Sequence, residues 1–147
     1  MPIFKRILVP LDGSPLSAHA ADLAIDLATA LQAELAFVHV IEPSETVAPV
    51  GGLPPGELRK VVQQEARDVL DAATSRSHVE PPAWRFLKEG KPAPEIVAAA
   101  KEWGADLIVM GTHGRSGLGR VVLGSVAQAV VHAAPCPVLL VRASLGA

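Results

Sequence analysis

Apolar residues along this chain recur in two rhythms. Short, nearly unbroken apolar runs at Ile3–Val9, Glu34–Ile41, Leu107–Met110 and Pro137–Val141 predict buried strands. A weaker run at Ala83–Lys88, interrupted by Arg85 and Lys88, predicts a fifth. Between the runs, apolar positions return every three or four residues, as on one face of a helix. The four sets are Ala20, Leu23, Ala24, Leu27 and Leu31; Leu58, Val62, Ala66, Val69 and Ala73; Ile96, Ala99, Ala100 and Trp103; and Val122, Val126, Ala129, Val130 and Ala133. Ser14 followed by Pro15 fits a helix N-cap and first helical position, and Gly104 fits a C-cap. The second and third helices are expected over Gly56–Arg76 and Pro94–Trp103. Breakers lie at Pro10–Pro15, at Pro81-Pro82, at Glu89-Gly90-Lys91-Pro92, and in the Pro- and Gly-rich stretch Glu42–Pro55, read as a mobile loop.

Strand and helix alternate throughout. Alternation implies an α/β fold with a parallel sheet and right-handed crossovers. Continuous apolar strands are expected where helices cover both sheet faces, which makes the architecture a three-layer, doubly wound, five-stranded parallel sheet with four helices. Ligands of such sheets sit beyond the carboxyl ends of the strands, where strand order reverses. The first strand leads into Asp12 and the fourth into Gly111, each entering a turn-rich loop. If these two strands are neighbours, both loops line one cleft.

Length and charge narrow the classes. The 147 residues suit one domain, 1–147, and half are hydrophobic, which excludes a disordered chain. A net charge of −2, a pI near 6.2 and the absence of tyrosine argue against a nucleic-acid binder. The apolar run after Lys5-Arg6 is too short for a signal peptide, and no run approaches the ~20 residues of a membrane span. A cytoplasmic protein without membrane attachment is expected. The single cysteine, Cys136, has no partner for an internal disulfide, and a small buried apolar role fits it better than a reactive thiol.

The chemistry concentrates between Leu107 and Ala133. An apolar strand breaks into a segment holding Gly111, Gly114, Gly117, Gly119 and Gly124, then closes as a helix. Glycines let backbone N–H groups approach an anion, and a helix start adds unpaired donors and partial positive charge. Ser125 offers a hydroxyl, and Arg115 and Arg120 bring positive charge nearby. The dinucleotide fingerprint fails, because Val122 stands where its third glycine belongs. The P-loop pattern half-matches from Gly119 to Gly124 but lacks its lysine. The spacing Gly111-x2-Gly114-x9-Gly124-Ser125 is complete.

Other polar residues are less specific. Asp12 at a strand end suits ribose hydroxyls or a bridging cation, and equally suits an Asx-turn capping the next helix. Val40 near the end of the second strand is either an apolar wall for a base or plain core. His39 reads as a satisfied strand residue. His113 lies in the glycine segment within reach of phosphate, but no second ligand at zinc spacing accompanies it. His19, His78 and His132 read as surface residues. No catalytic triad and no metal site emerge.

The glycine spacing matches the ATP-binding signature of the universal stress protein family, and the resemblance extends along the chain. It is carried by ILVPLDGS, by FVHVIEP, by EGKPAPEIV and by the segment from Gly104 to Arg142, with least in Thr46–Val79. The resemblance implies strand order 3-2-1-4-5, the adenine nucleotide alpha hydrolase-like fold, and ATP as ligand, with Mg2+ expected beside the phosphates. It implies that Pro10, Leu11, Asp12 and Val40 surround adenine and ribose. Met110, Gly111 and the backbone at Gly114 would meet ribose and α-phosphate, with Arg115 near the phosphates. Gly124, Ser125 and Val126 would close on the polyphosphate. It also implies a homodimer paired through Val138–Val141, an apolar run suited to an open sheet edge. With no poised general base and no P-loop lysine, the expected role is a nucleotide-binding regulator with slow hydrolysis or none. The alternatives are a slow ATPase or self-phosphorylating protein using Thr112, Ser116 or Ser125, and an interaction module that binds no nucleotide.

Overall fold

The structure, a computed structural model, describes residues 3–43, 54–113 and 123–143. Among these residues the chain runs β1 (Arg6–Leu11), α1 (Pro15–Leu31), β2 (Glu34–Ile41), α2 (Pro55–Arg76), β3 (Trp84–Glu89), α3 (Pro92–Trp103), β4 (Leu107–Gly111), α4 (Ser125–Ala133) and β5 (Val138–Val141). All strand pairs are parallel, in the order β3-β2-β1-β4-β5. The expected doubly wound topology is therefore observed. The stretch read as a mobile loop lies outside the described residues over 44–53.

Side-chain alternation along the strands sorts the core into two layers. Ile7, Val9 and Leu11 of β1 join Leu35 and Phe37 of β2 beneath α1 and α2. Leu8 of β1 joins Ala36 and Val38 of β2 and Ile108 and Met110 of β4 beneath α3 and α4. α1 meets the sheet through Ala20, Ala21, Ala24 and Ala28, whose small side chains let the helix approach closely. No helix among the described residues is long and apolar enough to cross a membrane.

Several expectations shift. β1 begins three residues later than expected and continues to Leu11, because its frame is set by neighbours. The backbone N–H groups of Lys5 and Arg6 bind the Asp106 carboxylate, at 2.9–3.1 Å and 3.0 Å. Arg6 pairs in register with Glu34. Ile3, expected inside the strand, is 80% exposed. Leu23 is exposed rather than inward, since the alanine stripe turns it away from the sheet. Ala129 and Ala133 of α4 are exposed as well; the helix buries Ala127 and Val130 instead. Val122 lies outside the described residues. β3 is an edge strand, so Arg85 and Lys88 are tolerated there. Arg85 pairs with Asp71, and Lys88 with Glu102 at 3.3 Å.

One feature of β1 shapes the molecule. Its ladder with β2 runs from Arg6 to Leu11, but its ladder with β4 covers only Ile7 and Leu8. Pro10 has no N–H with which to extend a ladder. Beyond Leu8 and Ile108, β1 and β4 no longer pair with each other, and their carboxyl ends frame an opening at the point where strand order reverses.

Candidate functional site

A cleft of about 330 Å³ occupies that opening. Nine of the eleven site residues expected from sequence line it: Pro10, Leu11, Asp12, Val40, Met110, Gly111, Gly124, Ser125 and Val126. The other two, Gly114 and Arg115, lie outside the described residues. The floor comes from the ends of β1, β2 and β4. One wall is the first turn of α4, and another is Pro92 and Ile96 of α3.

The β1–α1 turn is locked by its own side chains. The Ser14 N–H donates to Asp12 Oδ1 at 2.9 Å, which forms the Asx-turn. Gly13 takes φ +83°, a region that favours glycine. Ser14 then caps α1, its hydroxyl accepting from the Ser17 N–H at 3.2 Å, and Pro15 starts the helix. The Ser17 hydroxyl donates to the Ser14 carbonyl and accepts from the Asp12 N–H at 3.3 Å. Both readings of Asp12 therefore have a basis. Its Oδ1 serves the turn, while its Oδ2 makes no hydrogen bond among the described residues and Asp12 borders the cleft.

Close contacts favour glycine at two positions. A β-carbon on Gly111 would approach Leu16 Cγ to 2.9 Å. One on Gly124 would meet the Thr112 carbonyl oxygen and His113 Cα, each at 3.1 Å. Gly124 instead packs its backbone on β4's exit, its N–H donating to the Thr112 carbonyl at 2.6 Å. This contact closes the two ends of the glycine segment on each other.

Gly124 is also the N-cap of α4, with no side-chain cap. The first intrahelical bond there is the Gln128 N–H to the Gly124 carbonyl, at 2.9 Å. The preceding donors, on Ser125, Val126 and Ala127, have no intrahelical acceptor, and all three residues line the cleft. An uncapped helix start facing a cavity is a ready anion site. The charged carboxylates at the cleft, Asp12 and Glu42, suit hydroxyl groups or a cation rather than phosphate. A flat apolar group thus has the Val40, Met110 and Ile96 side. A polyol has Asp12, and an anion has α4.

Sequence reasoning missed Ser17, Pro92 and Ile96, and it treated His39 only as a strand residue. His39 is 9% exposed, hydrogen-bonded through Nδ1 to the Leu11 carbonyl at 2.7 Å, and lines the cleft. His113 lines it too, and its Nδ1 lies 3.3 Å from the Thr112 hydroxyl. Pro92 and Ile96 read in sequence only as a breaker and an apolar helix position, because only the crossover of α3 brings them to the cleft.

A family model described as "Universal stress protein family" matches residues 3–142. Universal stress protein MJ0531 of Methanocaldococcus jannaschii is 40% identical over 151 residues, covering 95% of this chain and 83% of that protein. Among solved structures, hypothetical protein MJ0577 superposes with a TM-score of 0.84 at 28% identity, covering 98% of this chain and 99% of that one. A universal stress protein in complex with cAMP gives 0.65 at 28% identity, covering 96% and 99%.

Proposed function

Because the chain belongs to the universal stress protein family, we propose that it is a nucleotide-dependent regulator of the stress response that binds ATP with Mg2+ in the cleft. The observation that carries this is the meeting of the Asp12 turn with the uncapped start of α4 across one cavity. Adenine lies against Pro10, Leu11, Val40 and Met110, ribose against Asp12 and Gly111, and the phosphates at Gly124, Ser125 and Val126. Gly114 and Arg115 complete the phosphate side. The relative bound to cAMP supports an adenine nucleotide as the ligand class. The protein acts in the cytoplasm as a single-domain homodimer paired through β5, whose Leu139 is exposed on an open sheet edge.

Hydrolysis is slow or absent in this reading, with the nucleotide biasing dimer or partner contacts. An intrinsic ATPase rate of several turnovers per second would defeat the reading. Amide resonances test the location. Mg-ATP should shift Asp12, Val40, Gly111 and Gly124–Val126 and leave β3 and α2 unmoved; shifts confined elsewhere would refute the site. A second reading rests on the Thr112–His113 contact, which pairs a hydroxyl with a base beside the phosphate end. Incubation with γ-labelled ATP separates the two, since stable label lost in Thr112→Val favours self-phosphorylation.

A further inference from the structure

Among the described residues around the cleft, the His39 side chain hydrogen-bonds to the main chain of another lining residue on a neighbouring strand. We infer that His39 is a positioning residue for nucleotide binding: its Nδ1–H clamps the Leu11 carbonyl and so holds the Leu11–Asp12 segment against β2. The inference rests on the nucleotide reading above and adds a residue that reading does not use.

Pro10, Leu11 and Asp12 all line the cleft. On the β4 side this segment has lost its strand partner, because pairing stops at Leu8–Ile108. It is therefore held from the β2 side, where Leu11 lies in register with His39. At that rung the side chain adds a bond to the main chain: Nδ1 to the Leu11 carbonyl oxygen, 2.7 Å, inside the protein. A carbonyl oxygen only accepts, so Nδ1 must carry the hydrogen. Whenever the ring is neutral, this bond selects the Nδ1–H tautomer. The next residue is Asp12, whose carboxylate Oδ1 is already committed to the turn. A shift of Leu11 is transmitted directly to Asp12 and the ribose side of the cleft.

Asparagine and glutamine separate this role from simple packing. The Asn amide nitrogen reaches the place of Nδ1, whereas the Gln amide reaches nearer Nε2. His39→Asn should keep Mg-ATP affinity within about threefold of the parent, while His39→Leu and His39→Gln, lacking a donor at the right place, should bind about tenfold more weakly. Thermal melts establish that each variant is folded. Two ligand-free readouts run alongside. Nitrogen-15 shifts of the parent should show a hydrogen on Nδ1. Asp12 and Gly13 amide resonances should move in the Leu variant and return in the Asn variant. A folded Leu variant with parental Asp12 and Gly13 resonances, or an Asn variant as weak as Leu, overturns the inference. If the parent binds no nucleotide, the nucleotide reading fails, and the amide resonances and the Nδ1 hydrogen still decide whether His39 positions the segment.

Discussion

Replacing Gly124 with valine puts the site's geometry under direct strain. The backbone there, φ −64° and ψ 158°, suits any residue, so the objection to a side chain is contact alone. The first added carbon lies 3.1 Å from the Thr112 carbonyl oxygen and 3.1 Å from His113 Cα, both main-chain atoms that cannot rotate aside. Either β4's exit or the start of α4 must retreat by a few tenths of an ångström, and the two γ-methyls of valine widen the gap. Overpacking of this kind costs about 1–3 kcal/mol. It falls on the 2.6 Å Gly124–Thr112 hydrogen bond and on the donors of the first α4 turn. If that cost is borne mainly by the binding-competent arrangement, Mg-ATP affinity falls about tenfold to a hundredfold. Calorimetric titration of parent and variant, with circular dichroism melts for folding, measures it. Gly56→Ala is the control, since a β-carbon there meets nothing within 4 Å and the position is helical. It should leave binding unchanged and stabilise by about 0.4–1 kcal/mol. A folded Gly124→Val protein that binds within twofold of the parent would refute the reasoning.

Ser14→Ala removes the cap that accepts from the Ser17 N–H, and should cost about 1 kcal/mol, lowering Tm by roughly 2–4 °C in a chain of this size. Burial, reinforced by the negative charge of Asp106, pushes the Cys136 thiol above its ordinary range. Its alkylation at pH 7–8 should therefore lag behind that of a small-molecule thiol and quicken only at higher pH. The sign for stability follows: the fold favours the neutral thiol, so this contribution is intact below the unfolded pKa of ~8.5 and is lost as pH rises through the higher folded value. A Cys136 that reacts like a free thiol at pH 7 contradicts it. Leu139→Arg on the open edge of β5 should shift sedimentation from dimer to monomer, and an unchanged profile excludes that edge as the dimer contact.

What could be read from the chain followed from how local each signal is. β2 was legible to its ends, because a strand under helices on both faces reads as a nearly continuous apolar run, interrupted here by Glu34 at its start and by His39. α1 was legible as a helix and largely in phase: Ala20 and Ala24 are buried and Leu27 and Leu31 pack against the core, while Leu23 falls outside the alanine stripe. In α4, Ala129 was placed inward when Ala127 is buried. β1 was misplaced because Pro10 looked like a terminator, whereas it ends only one of two ladders. At the site, the glycine spacing and the Asp12 turn announce themselves in short segments. Pro92 and Ile96 reach the cleft only through tertiary crossover. His39 becomes visible only when its register with Leu11 is known.

In the proposed function, the cleft between β1 and β4 takes an adenine nucleotide. Calorimetric titration of the nucleotide-stripped protein with Mg-ATP, then with AMP, cAMP and GTP, tests it most directly. Saturable ATP binding near micromolar is expected, about −8 kcal/mol, with GTP much weaker. No heat of binding with any adenine nucleotide, from a protein whose melt shows it folded, would contradict it and leave the glycine segment a structural element.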